Sequence, residues 1–340
     1  MTRLVIAALA GMLALAVALG GTLLWARAEL HRPLALEAPA VVEIPPGTPL
    51  ARVAAELESR GMLRHPAVLS WYGRLSGEAS RIKAGEYVLQ PGLSAAEALA
   101  KFVAGDVRLY SFTIVEGWTT AEAVRALQAH EAIVATLGPY EPAALLEAVE
   151  AAEDHPEGLL FPETYHFPRG SEDVTILRRA YALMQEQLLA AWQSRRDDIP
   201  LDSPYEALIL ASIIEKETAR DDERRRIAGV FTRRLERGMR LQTDPTVIYG
   251  LGEDWDGNIR RRDLRTDTPY NTYTRAGLPP TPIALPGRAS LDAAVNPAPG
   301  EALFFVATGE PDGSHYFSVT REEHEAAVER YLERLRERRR

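Results

Sequence analysis

The distribution of hydrophobic and polar positions divides the chain into three stretches. From Leu4 to Ala26 it is uncharged and predominantly apolar (LVIAALAGMLALAVALGGTLLWA), a run of 23 residues; about 20 suffice to cross a hydrocarbon core. Arg3 and the amino terminus put positive charge on the leading side, which predicts a cytoplasmic N-terminus with the body exported. Trp25 sits where an interfacial aromatic belongs. Ala26-Arg27-Ala28 loosely fits a small-residue cleavage site. However, the apolar run exceeds the roughly 7–15 residues of a signal-peptide h-region, so the pattern predicts an uncleaved anchor over residues 1–27. Residues 28–40 (AELHRPLALEAPA) are rich in Pro and Ala without helical periodicity, and read as a linker.

The second stretch, 41–108, has the pattern of a small α+β module. Val41 to Ile44 alternates as a strand and ends at the turn Pro45-Pro46-Gly47. Thr48 is a candidate cap for a helix over Leu50 to Arg60, with Val53 and Leu57 on its buried face and Gly61 at its end. A second helix is expected over Pro66 to Ser76 and a strand over Gly85 to Leu89. Ser94 then caps a helix over Ala95 to Val103, and Gly105 ends it.

The third stretch, 109–340, reads as one larger α+β domain. Strands are expected at 109–115, at 302–307 (ALFFVA, buried) and at 315–319 (HYFSV). Helices are expected at 142–152, 172–195, 204–237 and 320–339, with Thr119 or Thr120 capping another. Pro and Gly cluster between 269 and 300, a connection of the length that carries function when ordered.

Composition narrows the chemistry. A net charge of -9 argues against a nucleic-acid binder. The absence of cysteine removes disulfides, zinc-thiolate sites and cysteine nucleophiles together. The seven histidines show neither HxxxH nor HxH spacing, which argues against a metal site. No cofactor is indicated.

The most informative segment is Pro204 to Thr218 (PYEALILASIIEKET). Pro204 suits a first helical turn with Ser203 as its cap. The run LILASII should pack into a core, and a carboxylate, Glu215, ends it. Burial raises a carboxyl's pKa, and a glutamic acid protonated near neutral pH is what a glycosidic leaving oxygen requires of its general acid. Equally, Glu215 fits the start of a solvated, charged helix half, and periodicity does not separate it from Glu217.

The segment Ala211 to Thr218 (ASIIEKET) resembles the ASIVEKE signature of the YceG/MltG family of endolytic murein transglycosylases. Further matches follow in order: Gly158 to Tyr165 (GLLFPETY), Gly238 to Gly250 (GMRLQTDPTVIYG), Tyr270 to Tyr273 (YNTY), Gly277 to Pro280 with Pro282-Ile283, Asn296 to Ala298, Asp312 to Ser318, and Glu323-His324. The departures are few. FYNRL reads FTRRL at 231–235, and PPGPIANPG reads PPTPIALPG, so Leu285 is assigned no role.

The resemblance implies a LysM-like module over 41–108 and a catalytic domain over 109–340. It places the single acid/base on Glu215. The implied reaction cleaves the β-1,4 bond between N-acetylmuramic acid and N-acetylglucosamine and leaves a 1,6-anhydro end. It also implies a periplasmic body on a single-pass inner-membrane anchor (residues 4–26) and partnership with peptidoglycan synthases.

For substrate contact, Gln242, Asp244, Tyr270, Asn271, Thr272 and Tyr273 have suitable hydroxyl, amide and carboxylate groups, as do Glu163, Thr164 and Tyr165. Asn and Asp beside Pro or Gly also simply build turns, and the aromatics also suit a core. His315, between strand formers, reads as a hydrogen-bonded structural histidine, and Asn296-Pro297 as a turn. Two other functions fit the pattern: a hydrolase using water with Asp244 or Glu163 as base, and a membrane-tethered wall-binding scaffold without activity.

Overall fold

The structure, a computed structural model, describes residues 2–338. It mixes helices with short strands, and the chain divides into two compact units. One runs up to Tyr110 and includes His166–Gly170; the other comprises Ser111–Tyr165 and the chain from Ser171 on.

The first unit begins with α1 (Thr2–Leu30), among the described residues the one helix long and apolar enough to cross a membrane. Its 29 residues span about 43 Å at 1.5 Å per residue, more than a hydrocarbon core of about 30 Å. Then follow β1 (Ala40–Ile44), α2 (Leu50–Ser59), α3 (Pro66–Leu75), β2 (Gly85–Leu89) and α4 (Ala95–Ala104). β1 and β2 pair antiparallel, with Val42 opposite Tyr87. The period of two buries Val42, Ile44, Tyr87 and Leu89 on one face, against Val53 and Leu57 of α2 and Leu99 and Phe102 of α4.

Ser94 caps α4 through a reciprocal capping box with Glu97, and Gly105 ends that helix in the left-handed region. The cap expected at Thr48 is not made. Pro49 occupies the N-cap position and offers no side-chain acceptor. Residues 28–40 are more firmly held than a linker pattern suggests: α1 runs on to Leu30, Leu30 and Leu34 are buried in this core, and the Leu34 N–H donates to the Leu93 carbonyl at 2.8 Å.

The second unit contains β3 (Leu109–Thr113), α5 (Thr120–Gln128), β4 (Ile133–Val134), α6 (Pro142–Val149), β5 (Thr164–Pro168), β6 (Ser171–Glu172), α7 (Asp173–Gln193), α8 (Pro204–Glu217), α9 (Asp221–Glu236), α10 (Asp244–Leu251), α11 (Arg288–Val295), β7 (Phe304–Ala307), β8 (His315–Ser318) and α12 (Arg321–Arg338). The ends of β3 and β5 belong to the first unit. Among the described residues the strands form only two-stranded pairs, so helices supply the core. Its axis is α8, buried at every position from Ala207 to Ile214, with α7, α9, α10 and α11 packed around it. A helix apolar all round belongs at a centre.

The single helix expected over 204–237 is two helices. Thr218 is extended at φ -151° and ψ 138°, and α9 starts at Asp221. The Thr218 hydroxyl accepts from the Arg220 N–H at 3.0 Å, a local bond that competes with the helical ladder. β7, expected to be buried, is half-buried along its length. The C-terminal helix expected over 320–339 starts at Arg321, and its expected last residue lies outside the described residues. His315 is held as a structural histidine should be, its Nδ1 2.7 Å from Glu223 Oε2.

Candidate active site

α8 delivers three charged residues to the edge of the core in its last turn. Its start is fixed by Ser203, whose side chain accepts from the Glu206 N–H, with Pro204 in the first turn. Successive side chains diverge by about 100°, and the three charges go to three places. Glu215 turns to the start of α11, where its Oε2 accepts from the Gly287 N–H at 3.0 Å and the Ser290 hydroxyl at 2.7 Å. Its other oxygen lies 4.0 Å from Arg224 Nη2. Lys216 donates to the Gly117 carbonyl at 3.0 Å. Glu217 lines a cavity of about 760 Å³, and the Thr243 hydroxyl donates to its Oε1.

Burial pushes the Glu217 carboxyl up to about 7. The Asp244 charge adds to that rise, while the Thr243 bond and the Arg234 charge oppose it. Such a group populates both its acid and its base form near neutral pH, as proton transfer in either direction requires. A raised pKa alone does not make a site. Glu157 is also pushed up to about 7 by burial, but its oxygens are closed in by the Thr120 N–H at 2.9 Å, the Gly158 N–H at 3.2 Å and the Tyr249 hydroxyl at 3.2 Å. Glu116 is raised by burial and by the neighbouring Glu215 charge; a side chain added at Gly287 would collide with it.

Around Glu217 the cavity is lined by Gln242, Asp244 and Tyr273. The Tyr273 hydroxyl donates to Asp244 Oδ1 at 2.6 Å, and burial followed by that bond raises the tyrosine's pKa. Gln242 has a φ of +52°, a left-handed backbone rare for a residue with a side chain. Its N–H donates to the Thr272 carbonyl at 3.2 Å, and the Thr243 N–H to the Thr272 hydroxyl at 3.1 Å, so 241–244 and 270–273 are locked together.

Phe304 and Phe305 of β7 and His324 of α12 complete the lining with Arg234. Arg234 is buried and donates to the carbonyls of Leu303 at 2.7 Å and Leu241 at 2.6 Å. Its guanidinium lies 5.2 Å from the Phe304 ring centre. The His324 imidazole stacks on that ring at 5.2 Å and 20°; its Nδ1 is buried without a hydrogen-bond partner, and burial lowers its pKa. An acid poised near neutrality, aromatic faces, and amide, carboxylate and imidazole edges suit a sugar.

Residues 42–330 match the YceG-like family. The chain belongs to that family. An endolytic murein transglycosylase of Bacillus subtilis is 29% identical over 308 residues, which cover 86% of this chain and 84% of that protein. A protein of the same name from Streptococcus pneumoniae is 28% identical over 325 residues, covering 86% of this chain and 58% of its own length. This chain therefore spans little more than half of the pneumococcal relative. The crystal structure of a yceG-like protein from Listeria monocytogenes aligns with a TM-score of 0.49 at 29% identity, over 86% of this chain and 99% of that one.

Of the residues the sequence singles out, the YceG-like fold brings Gln242, Asp244 and Tyr273 together, and brings them to Glu217; Glu215 is not among the residues that line the cavity. Asn271 and Thr272 are buried behind the lining. The Asn271 amide donates to the carbonyls of Asp263 at 3.1 Å and Thr266 at 2.7 Å, so it shapes the loop. Tyr270 packs edge-on against Tyr249 and shares a 2.8 Å bond with the Thr281 hydroxyl.

Glu163, Thr164 and Tyr165 are elsewhere. Glu163 Oε1 accepts from the Thr164 N–H at 2.8 Å, the Thr164 and Thr113 hydroxyls are 2.9 Å apart, and the buried Tyr165 donates to the Phe161 carbonyl at 2.7 Å. Sequence reasoning missed Arg234, Phe304 and His324 as lining residues. Arg234 lies in the FTRRL segment and His324 in the Glu323-His324 match, so both carried a signal without a role.

Proposed function

We propose that this chain is an endolytic murein transglycosylase whose acid/base is Glu217, two residues beyond the glutamate the resemblance selects. The observation that carries this reading is a carboxyl with its pKa raised to about 7 that faces a cavity shared with Gln242, Asp244 and Tyr273. Glu215, by contrast, has one oxygen occupied by two donors from the α11 turn.

In the proposed reaction, protonated Glu217 gives its proton to the glycosidic oxygen joining N-acetylmuramic acid to N-acetylglucosamine. The C1–O bond breaks, and an oxocarbenium-like centre develops on the muramic sugar. The Glu217 carboxylate then takes the proton of the C6 hydroxyl, whose oxygen bonds to C1. A 1,6-anhydro ring closes, no water is consumed, and Glu217 is protonated again. Arg234, beside Glu217, favours its carboxylate form in the second half. Phe304 with His324 offers a face for a sugar ring.

A hydrolase is the second reading, because Asp244 stands beside Glu217 as an exposed carboxylate and could activate water. The wider assignment follows the same reading. Residues 1–27 anchor the chain in the inner membrane with the N-terminus inside, 28–40 join the anchor to a LysM-like wall-binding module over 41–108, and 109–340 form a periplasmic catalytic domain that works beside peptidoglycan synthases.

The test incubates the full chain in detergent micelles with purified peptidoglycan, and identifies new chain ends by mass spectrometry. Internal fragments with 1,6-anhydro ends, lost in Glu217→Gln and kept in Glu215→Gln, are the expected result. Ordinary reducing ends would convert the reading to hydrolysis. Cleavage that survives Glu217→Gln would sink the assignment of the acid.

A further inference from the structure

α3 carries apolar side chains that its core does not use. Leu69 and Gly73 face inward, while Trp71 is 62% exposed and Leu75 82% exposed. A contiguous exposed apolar patch of this kind marks an interaction surface. Its partner is indicated by what lies beside it. α3 packs on α1, and a cavity of about 1130 Å³ is lined jointly by Leu23 and Trp25 of α1 and by Val68, Trp71 and Leu75. The rings of Trp25 and His65, the residue just before α3, are 5.2 Å apart.

Depth along α1 follows from its length. About 20 residues counted from Leu4 reach the far side of a hydrocarbon core, which places Leu23 to Trp25 at the boundary between acyl chains and headgroups. The same cavity also reaches Arg27 and Leu30 further along α1 and His31 just after it, so Val68, Trp71 and Leu75 lie from that boundary outward through the headgroup layer. Cationic groups outnumber acidic ones around the patch: Arg27 and Arg64 line the same cavity with one carboxylate, Glu58, and the Arg74 guanidinium is 6.0 Å from the Trp71 ring centre. Aromatic rings at the boundary with arginines among the headgroups are the composition of an interfacial anchor.

We infer that α3 is a second membrane contact, lying in the surface of the bilayer that α1 crosses, with Trp71 and Leu75 entering the boundary between headgroups and acyl chains. The partner is the lipid surface itself. The inference rests on α1 as a membrane span and is independent of which glutamate acts on the glycan. Its consequence is that the first unit is held against the lipid by two elements instead of swinging on one helix.

Because the chain has no cysteine, any introduced thiol is labelled uniquely. Full-length Leu75→Cys and Trp71→Cys, each carrying a nitroxide, are reconstituted in nanodiscs of phosphatidylethanolamine and phosphatidylglycerol. Electron paramagnetic resonance then compares accessibility to oxygen with accessibility to a water-soluble nickel chelate. Leu19→Cys on α1 serves as the membrane reference and Glu43→Cys on β1 as the aqueous one. The expected oxygen-to-nickel ratio at positions 71 and 75 is several-fold above that at Glu43 and close to that at Leu19. A ratio at both positions equal to that at Glu43, with Leu19 still in the membrane, overturns the contact. An aqueous signal at Leu19 would overturn the span and the contact together.

Discussion

Glu215 and Glu217 stand two residues apart on one helix, and their surroundings differ in kind. Glu215 is met by donors: a backbone N–H and a hydroxyl from the α11 turn hold one oxygen, with Arg224 near the other. Glu217 has one hydroxyl donor and the Arg234 charge nearby. Burial dominates it and pushes its pKa to about 7, and it faces a cavity instead of a turn. The donors tie Glu215 to the α11 turn, whereas burial beside open space keeps both protonation states of Glu217 within reach, as proton transfer requires. Position along the helix does not separate the two glutamates; their partners do.

The strongest way to break this comparison is to remove one carboxyl at a time. Glu217→Gln should lower the rate of anhydro-end release by roughly 10² to 10⁴-fold. Next comes pH. In the proposed reaction Glu217 acts first as an acid, and its pKa is raised to about 7, so the rate should fall about tenfold per pH unit above that value; a flat profile to pH 9 would contradict it.

The same shift has a stability side. A carboxyl raised in the folded state holds its proton more tightly there than in the unfolded chain. Stability from this group is therefore complete below the unfolded pKa and is lost as pH rises through 7. Glu217→Gln removes that loss, so it should stabilise the protein by about 1–3 kcal/mol at pH 8 and by little at pH 4, read from denaturant midpoints.

Glu215→Gln should do the reverse at pH 8. It weakens the bonds to the α11 turn, destabilising by roughly 1–3 kcal/mol, while activity at a permissive temperature stays within about tenfold of the parent. Activity lost with an unchanged midpoint would return the acid to Glu215. The smallest effect is expected at the lining. His324→Ala removes a ring stacked on Phe304 and should raise KM about three- to tenfold with kcat changed less, measured on soluble glycan strands of defined length.

Much of this arrangement is legible in the sequence. The run LILASII with Ser203 and Pro204 announces a core helix whose end meets solvent, and α8 is that helix. Gln242, Asp244 and Tyr273 stand out by chemistry and do converge. The break at Thr218 is not legible, because no Gly or Pro marks it and α9 starts directly in the following DDERRR; a bond from the Arg220 N–H to the Thr218 hydroxyl accompanies it. Choosing between Glu215 and Glu217 needs to know what faces each, and the deciding groups, Gly287 with Ser290 and Thr243 with Arg234, come from other parts of the chain. Phe304 and His324 escape notice for a related reason: a half-buried strand and a charged helix look ordinary until they close one wall.

Ser212 and Glu215, one helical turn apart, both grip the Pro-rich segment after Leu278: Ser212 Oγ accepts from the Ile283 N–H at 3.0 Å, and Glu215 from the Gly287 N–H at 3.0 Å. Two fixed points on a rigid helix set the contour length of the chain between them. A one-residue insertion or deletion between Ile283 and Gly287 releases one grip whichever way it slips. The interval is a ruler whose markings belong to α8.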